Sequence, residues 1–463
     1  MSASLWTAME VAQATGAALI DGADWQAGGI SIDTRTLQQG DLFVALHAQR
    51  DGHDFIGQAY EAGAVAALVD QRVGSGPQAL VDDTLQGLAR MAAFARDRAA
   101  ACRVAVTGSV GKSSVKEAVA TILAAAGPAH ASEKSYNNQW GVPLSLARMP
   151  SHTKRAVFEL GMNHAGEIAP LAALVRPHVG LITALAPAHI EALGSMDAIA
   201  EEKAQIWSAM GQNGVAVIPA DDPQAGQLAA LARQYRVKRI ISFGRDREAD
   251  IRIRAFETGP GGSAGELDIF GDRHDFVLKC SGAHWAANAA AAVAAALFCG
   301  VEAADAVSAL ADLTPLPGRG GAMVVQLAQG EATVIDDSYN ANPVSMAAAL
   351  NTLSTWPGRR RVAVLGDMLE LGQGARRFHE ALAWDIEQAG IDQVYCAGPL
   401  MRYLHQSLPG QRRGGWFESV DDMRKALGKT MQAGDVILLK GSNGSCIHKI
   451  AAALRTESLG GEA

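Results

Sequence analysis

The sequence predicts an α/β fold of three domains built on mainly parallel sheets. Three observations carry that expectation. Short β-branched runs alternate with Ala- and Leu-rich amphipathic stretches through most of the chain. The chain has 463 residues, and at roughly 150 residues per domain that length corresponds to about three domains. Two Gly/Pro-rich breaks divide it, VGSGP at 73–77 and LTPLPGRGG at 313–321. The expected domains are therefore 1–80, 81–313 and 314–463: a small α/β unit, a central parallel sheet and a C-terminal Rossmann-like unit.

Composition narrows the function. With 49% hydrophobic residues there is material for several cores, which excludes disorder as a description of the whole. Forty basic against 48 acidic residues give a net charge of −8, so the basic footprint of a nucleic-acid binder is missing. The five cysteines are scattered, odd in number and free of any CxxC pair, which speaks for reduced thiols in a cytoplasmic protein. No basic stretch followed by an apolar one opens the chain, so no secretory signal is expected. The longest apolar run, 289–299, is too short to span a bilayer, so no membrane insertion is expected.

In chain order, the expected strands are 30–33, 42–46, 66–69, 104–107, 156–160, 179–183, 215–218 and 240–243, then 332–335, 362–365, 393–397 and 436–439. Most are rich in Val, Ile and Leu and sit between helical patterns, as strands of a parallel sheet do. Helices are expected at 84–98 and 115–126, and again from Gly282. The Gly-rich 259–265 reads as a turn inside a β-excursion from about Ile251 to Cys280.

Residues 102–114 read CRVAVTGSVGKSS. An apolar strand, a Gly-rich turn, Lys-Ser-Ser and a helix follow in the order a phosphate-binding loop needs. The backbone from Thr107 through Gly108, Ser109, Val110 and Gly111 can wrap a polyphosphate, and the start of the helix at Lys112, Ser113 and Ser114 adds positive potential. Lys112 is placed to reach terminal phosphates, and Ser113 to ligate Mg²⁺. Val106 stands where the longer GxxxxGK[ST] pattern has its first Gly.

Further polar residues follow apolar runs. Glu159 sits inside VFELGMNH, and His189 lies in the loop ALAPAHIEALGS after Thr183. At the carboxyl ends of parallel strands such groups line a ligand crevice. Taken alone, both fit solvated loop residues equally well. Lys203 lies in the apolar stripe Met196, Ile199, Ala200, Ile206, Trp207, Met210. Burying an ammonium is costly unless it is paired or modified, although a lysine that snorkels to water serves the same spacing. His284 and Asn288 share a face four residues apart, which locally reads as the capped start of an Ala-rich core helix. In the last third, strands run out into DDSYNANP, GDMLE and KGS. Three polar exits in one domain indicate a second ligand face.

Taken together these motifs resemble the Mur ligase family. The resemblance runs in order from about residue 29 to 445, through TGSVGKSS, YNNQWGVPLSL, FELGM, APAHIEALGS, EEKAQIW, GAHWAAN, PLPGRG, DDSYNANP, LGDMLELG and KGS. It implies an ATP-dependent amide-bond ligase of peptidoglycan synthesis, working through an acyl phosphate. DDSYNANP, LGDMLELG and NNQWGVPL imply the member that adds D-alanyl-D-alanine to a UDP-N-acetylmuramoyl-tripeptide. SIDTRTLQQGDLFVAL and DGHDFI resemble the uridine-nucleotide domain, so Ser31, Asp33, Arg35, Thr36, Asp51, Gly52 and His53 are implied to meet that substrate, with Asn340 and Asn342 from the C-terminal domain. ATP is implied to meet 107–114, Asn137, Asn288, Arg319 and Asp337. The resemblance makes Ser113, Glu159, His189 and Lys203 the Mg²⁺ ligands, Lys203 as its carbamate, and makes Lys112, Glu159, His189 and Lys203 the catalytic set. A monomer is expected.

Overall fold

The computed structural model describes residues 4–187 and 190–459. Three sheets organise the chain in sequence order. A five-stranded sheet has the order Ala18–Ile20, Gln78–Leu80, Ala66–Val69, Asp41–Val44, Gly29–Ser31. The central nine-stranded sheet runs Asp272–Leu278, Gly262–Ile269, Ile251–Gly259, Arg239–Gly244, Val215–Pro219, Val179–Ile182, Cys102–Thr107, Arg155–Glu159, Ala129–Ala131. The last sheet has six strands, in the order Gly321–Leu327, Gly330–Asp336, Asp435–Lys440, Arg360–Gly366, Gln393–Ala397, Arg413–Phe417. A small antiparallel pair joins Trp6–Thr7 to Gln26–Ala27.

All twelve expected strands are present, most of them extended or shifted by a residue or two. Strands buried on both faces must be apolar throughout, and Val179–Ile182 and Ala66–Val69 are buried at every position. Among the described residues, seven further strands were not anticipated. Four of them, Ala18–Ile20, Ala129–Ala131, Gly321–Leu327 and Arg413–Phe417, are sheet edges and keep few or no buried residues. An edge strand needs no continuous apolar run, so its pattern is weak. The excursion after Ile251 is a three-stranded antiparallel meander, as expected from its turns. The stretch around Lys203 is helical over Met196–Ala204 only, and then tightens into a 3₁₀ turn at Gln205–Trp207.

The first two sheets share one hydrophobic core. The helix Thr84–Arg98 lies between them and buries Leu88, Met91, Ala92 and Ala95. Every residue of the short helix Gly141–Ala147 is buried. Trp6 Nε1 donates to Ala147 O at 2.8 Å, and Arg148 Nε donates to Ile30 O at 2.8 Å. The six-stranded sheet instead has core clusters of its own on its two faces. It meets the central sheet mainly through loops, an arrangement suited to opening and closing. Among the described residues no helix is long and apolar enough to cross a membrane.

Candidate active site

Three neighbouring parallel strands end at one place. Cys102–Thr107 runs between Arg155–Glu159 and Val179–Ile182, so the turn 108–111, Glu159 and Thr183 emerge side by side. The helix Lys112–Ala125 leaves this turn from Gly111, whose φ is 81°. Glycine is required here for space as well as for backbone angle. A side chain on Gly108 (φ 151°) would overlap Thr183 Oγ1, and one on Gly111 would press on Asn288 Oδ1 at 3.0 Å. Thr183 Oγ1 donates to Val110 O at 2.5 Å, and Ser109 N–H donates to Ala184 O at 2.8 Å. The turn is thus held in shape from the neighbouring strand.

Lys112 folds back so that Nζ donates to Gly108 O at 2.8 Å. Burial holds its ammonium below the ordinary lysine range, with Glu159 pulling the other way. Ser113 Oγ donates to Glu159 Oε2 at 2.5 Å, and Asn137 Nδ2 donates to Glu159 Oε1 at 2.7 Å. Glu159 is only 1% exposed, yet among the described residues both of its side-chain hydrogen-bond donors are neutral. A buried carboxylate with a serine hydroxyl beside it is an oxygen donor set of the kind Mg²⁺ takes. Among the described residues, three buried polar atoms here, Thr107 Oγ1, Ser109 Oγ and Asn288 Nδ2, have no hydrogen-bond partner. Each such atom costs about 1–3 kcal/mol if nothing meets it. The turn is therefore built to receive a further polar group, and a nucleotide fits it.

Lys203 decides between the two readings its spacing allowed. It is 2% exposed, so it is buried and not laid out along the surface. Among the described residues its ammonium makes no hydrogen bond or ion pair. Burial, reinforced by Lys112, holds its pKa well below the ordinary lysine value. Its neighbour Glu202 is engaged elsewhere, accepting from Gly166 N–H at 2.8 Å and Ile168 N–H at 2.9 Å. His189 lies outside the described residues.

The C-terminal unit reaches in with Arg319, whose Nη2 donates to Ser113 Oγ at 2.8 Å and reaches Ser135 Oγ at 3.5 Å. Its guanidinium lies 4.0 Å from the centre of the Tyr339 ring. Tyr339 N–H donates to Gly318 O at 3.0 Å, which ties the PLPGRG and DDSYN loops together. Asp337 Oδ2 accepts from Lys440 Nζ at 2.6 Å, and Lys440 also donates to Asn340 O at 3.1 Å. Asn342 caps the helix Pro343–Ser354, its Oδ1 accepting from Ser345 N–H at 2.9 Å. Asn340 Oδ1 likewise accepts locally, from Ala341 N–H at 3.0 Å.

The remaining expected residues lie on or beside the first sheet. Ser31 Oγ donates to Asp33 O at 3.0 Å, and Thr36 Oγ1 donates to the same carbonyl at 3.3 Å. Arg35 is exposed and forks onto Asp33, with Nη2 to Oδ2 at 2.6 Å. Asp51 caps the 3₁₀ turn Gly52–Phe55, and His53 is buried between Asp51 and Asp70. The structure thus gathers 107–114, Asn137, Glu159, Lys203, Asn288 and Arg319 into one crevice, with the uridine motifs forming a separate group. Ser135, Tyr339 and Lys440 are parts of the site that the sequence reading did not single out. Tyr339 and Lys440 lie inside the quoted motifs DDSYNANP and KGS, whereas a lone serine such as Ser135 gives no signal.

With this geometry in place, comparison with known proteins settles the relationship. The Mur ligase middle domain matches 106–296, the Mur ligase glutamate ligase domain matches 323–443, and the Mur ligase family catalytic domain matches 26–96. The chain belongs to the Mur ligase family. The three Mur ligase segments follow the order of the three sheets. The chain is 36% identical to the UDP-N-acetylmuramoyl-tripeptide–D-alanyl-D-alanine ligase of Escherichia coli, over 94% of this chain and 95% of that one. It is 32% identical to the ligase of the same name from Rickettsia prowazekii, over 91% of this chain and 94% of that one. A crystal structure of MurF from Acinetobacter baumannii superposes with a TM-score of 0.84 at 29% identity, covering 97% of this chain and 99% of that one. MurF ligase from Thermotoga maritima in complex with ADP gives 0.76 at 26% identity, covering 94% and 98%.

Proposed function

We propose that this Mur ligase joins D-alanyl-D-alanine to the terminal carboxylate of a UDP-N-acetylmuramoyl-tripeptide, at the expense of ATP, as a cytoplasmic monomer in peptidoglycan precursor synthesis. The observation that carries the reading is the end-to-end correspondence with ligases of that name, over nine-tenths or more of both chains, around a complete phosphate turn. The tripeptide carboxylate attacks the terminal phosphorus of ATP and ADP leaves. The dipeptide amine then attacks the acyl phosphate, loses a proton, and expels phosphate as the amide forms. Two anions must meet in the first step, so positioning and charge neutralisation dominate.

This chain's residues divide that work. The N–H groups of Gly108, Val110 and Gly111 and the ammonium of Lys112 face the phosphates, while Ser109 N–H holds the turn to Ala184 O. Arg319 adds a second cation from the C-terminal unit, so charge is complete only when that unit is closed. Asn288 and Asp337 serve the nucleoside, and Asn137 orients Glu159. Ser113, Glu159, His189 and a carbamate on Lys203 would hold Mg²⁺, which when bound neutralises the phosphate oxygens. Lys203 suits carbamate formation because burial favours its neutral amine. The nitrogen adds to CO₂ and releases a proton, which turns a stranded cation into an anionic oxygen donor. Ser31, Asp33, Arg35, Thr36, Asp51, Gly52 and His53 hold the uridine end, with Asn340 and Asn342 nearer the peptide.

The test is ADP release with the tripeptide substrate, with and without D-alanyl-D-alanine. Release that requires both peptide substrates is the expected result. ATP hydrolysis indifferent to either would overturn the reading.

A further inference from the structure

The first sheet carries a cluster of His47, Asp51, His53 and Asp70, of which only Asp51 and His53 are assigned to the uridine end. His47 follows the strand Asp41–Val44, Asp51 and His53 sit at the 3₁₀ turn Gly52–Phe55, and Asp70 follows the strand Ala66–Val69. Those two strands are parallel neighbours, so the group lies at the carboxyl end of the sheet. The two imidazole rings lie 5.0 Å apart. One donor atom from each of His47, Asp51 and His53 falls within 4.8 Å of the others.

The arrangement has an inner and an outer carboxylate. Asp70 reaches the Nε2 of both rings, His47 at 2.8 Å and His53 at 3.2 Å. Asp51 faces the Nδ1 of both, His53 at 2.7 Å and His47 at 3.4 Å. When Asp70 accepts Nε2–H from each ring, both Nδ1 atoms present lone pairs toward Asp51. A carboxylate behind a ligating histidine is the usual way its tautomer and ring orientation are fixed. The backbone N–H of Asp70 also points at His53 Nε2, at 3.2 Å. That bond makes Nε2 the acceptor in the metal-free ring, whose Nδ1–H donates to Asp51 at 2.7 Å, so loading requires the ring proton to move to Nε2.

We propose that Nδ1 of His47, Nδ1 of His53 and the carboxylate of Asp51 form a binding site for a Zn²⁺-class divalent ion, with Asp70 positioning both imidazoles. Two nitrogens and one carboxylate are a borderline-soft donor set that suits Zn²⁺ or Co²⁺ and not Mg²⁺. Metal–ligand bonds of about 2.0–2.2 Å place tetrahedral donors roughly 3.3–3.5 Å apart. The separation of 3.4 Å from His47 Nδ1 to Asp51 already meets this, and the closer His53 contact needs only a small opening. His47 is half exposed, which leaves the fourth position to solvent. An ion here would pin the 47–53 segment to its own sheet.

The test uses the full chain, stripped with a chelator and returned to buffer containing millimolar Mg²⁺, which competes for the Ser113–Glu159 site. Titration with Co²⁺ alone is read by visible absorption, and Zn²⁺ is then added in competition. The expected result is one equivalent of nitrogen-ligated Co²⁺, displaced by Zn²⁺. His47→Gln, at an exposed position outside the reaction machinery, should abolish that absorption and leave ligation in zinc-free buffer unchanged. Asp70→Asn should weaken binding by about 10–100-fold. Equal stoichiometry and affinity in wild type and His47→Gln would overturn the proposal. So would the absence of nitrogen-ligated Co²⁺ in the wild type, which would leave the group a hydrogen-bonded imidazole–carboxylate ring.

Discussion

Replacing Lys203 separates a packing role from a chemical one. The side chain is buried, and among the described residues its ammonium is unpaired. Lys203→Ala removes three methylenes, worth about 2.4 kcal/mol of burial at about 0.8 kcal/mol each. It also removes a desolvated amine that has no hydrogen bond among the described residues, and relief of that burial is worth about 1–3 kcal/mol. The two effects nearly cancel, so thermal denaturation should place the variant within a few degrees of wild type. Activity should behave differently. A lost anionic ligand at the phosphoryl-transfer centre is comparable to a lost transition-state contact, about 10²–10³-fold in kcat. Added acetate or formate should restore part of the rate in a concentration-dependent way, because a free carboxylate replaces the oxygen donor but not the tether. Wild-type protein in ¹³C-labelled bicarbonate should show a carbamate carbon that is missing from the variant. Lys203→Arg should be inactive, since a guanidinium keeps its charge and carries no carbamate. An active Lys203→Arg enzyme would refute the reasoning, because it would make residue 203 a simple cation.

Three further outcomes are expected. Arg319→Lys should lower ADP release by about 10²-fold, because an ammonium cannot both lie flat on Tyr339 and donate sideways to Ser113; a wild-type rate would refute it. Arg35→Ala should raise KM for the uridine substrate and leave KM for ATP unchanged, whereas a rise in the ATP value would misplace the first sheet's role. Trp6→Phe strips the buried Ala147 carbonyl of its donor, so it should cost about 1–3 kcal/mol by denaturant unfolding with the ATP KM unaltered.

The sequence by itself determined the class of fold and the order of its parts. The interior strands of parallel sheets must be apolar on both faces, so Val179–Ile182 and Ala66–Val69 announce themselves in one dimension. The phosphate turn is equally local, because the strand, glycines, Lys112 and helix start are contiguous. Motif order along the chain carried the family. Tertiary structure alone decided what is non-local. Edge strands such as Arg413–Phe417 bury too little to leave a pattern. Whether Lys203 reached water depended on what packs around the helix Met196–Ala204, which spacing does not encode. Arg319 meets Ser113 across 206 positions of sequence, a contact made by loops from two separately cored units. The pairing of His47 with Asp70 arises in the same way, from two parallel strands whose ends the sheet sets side by side.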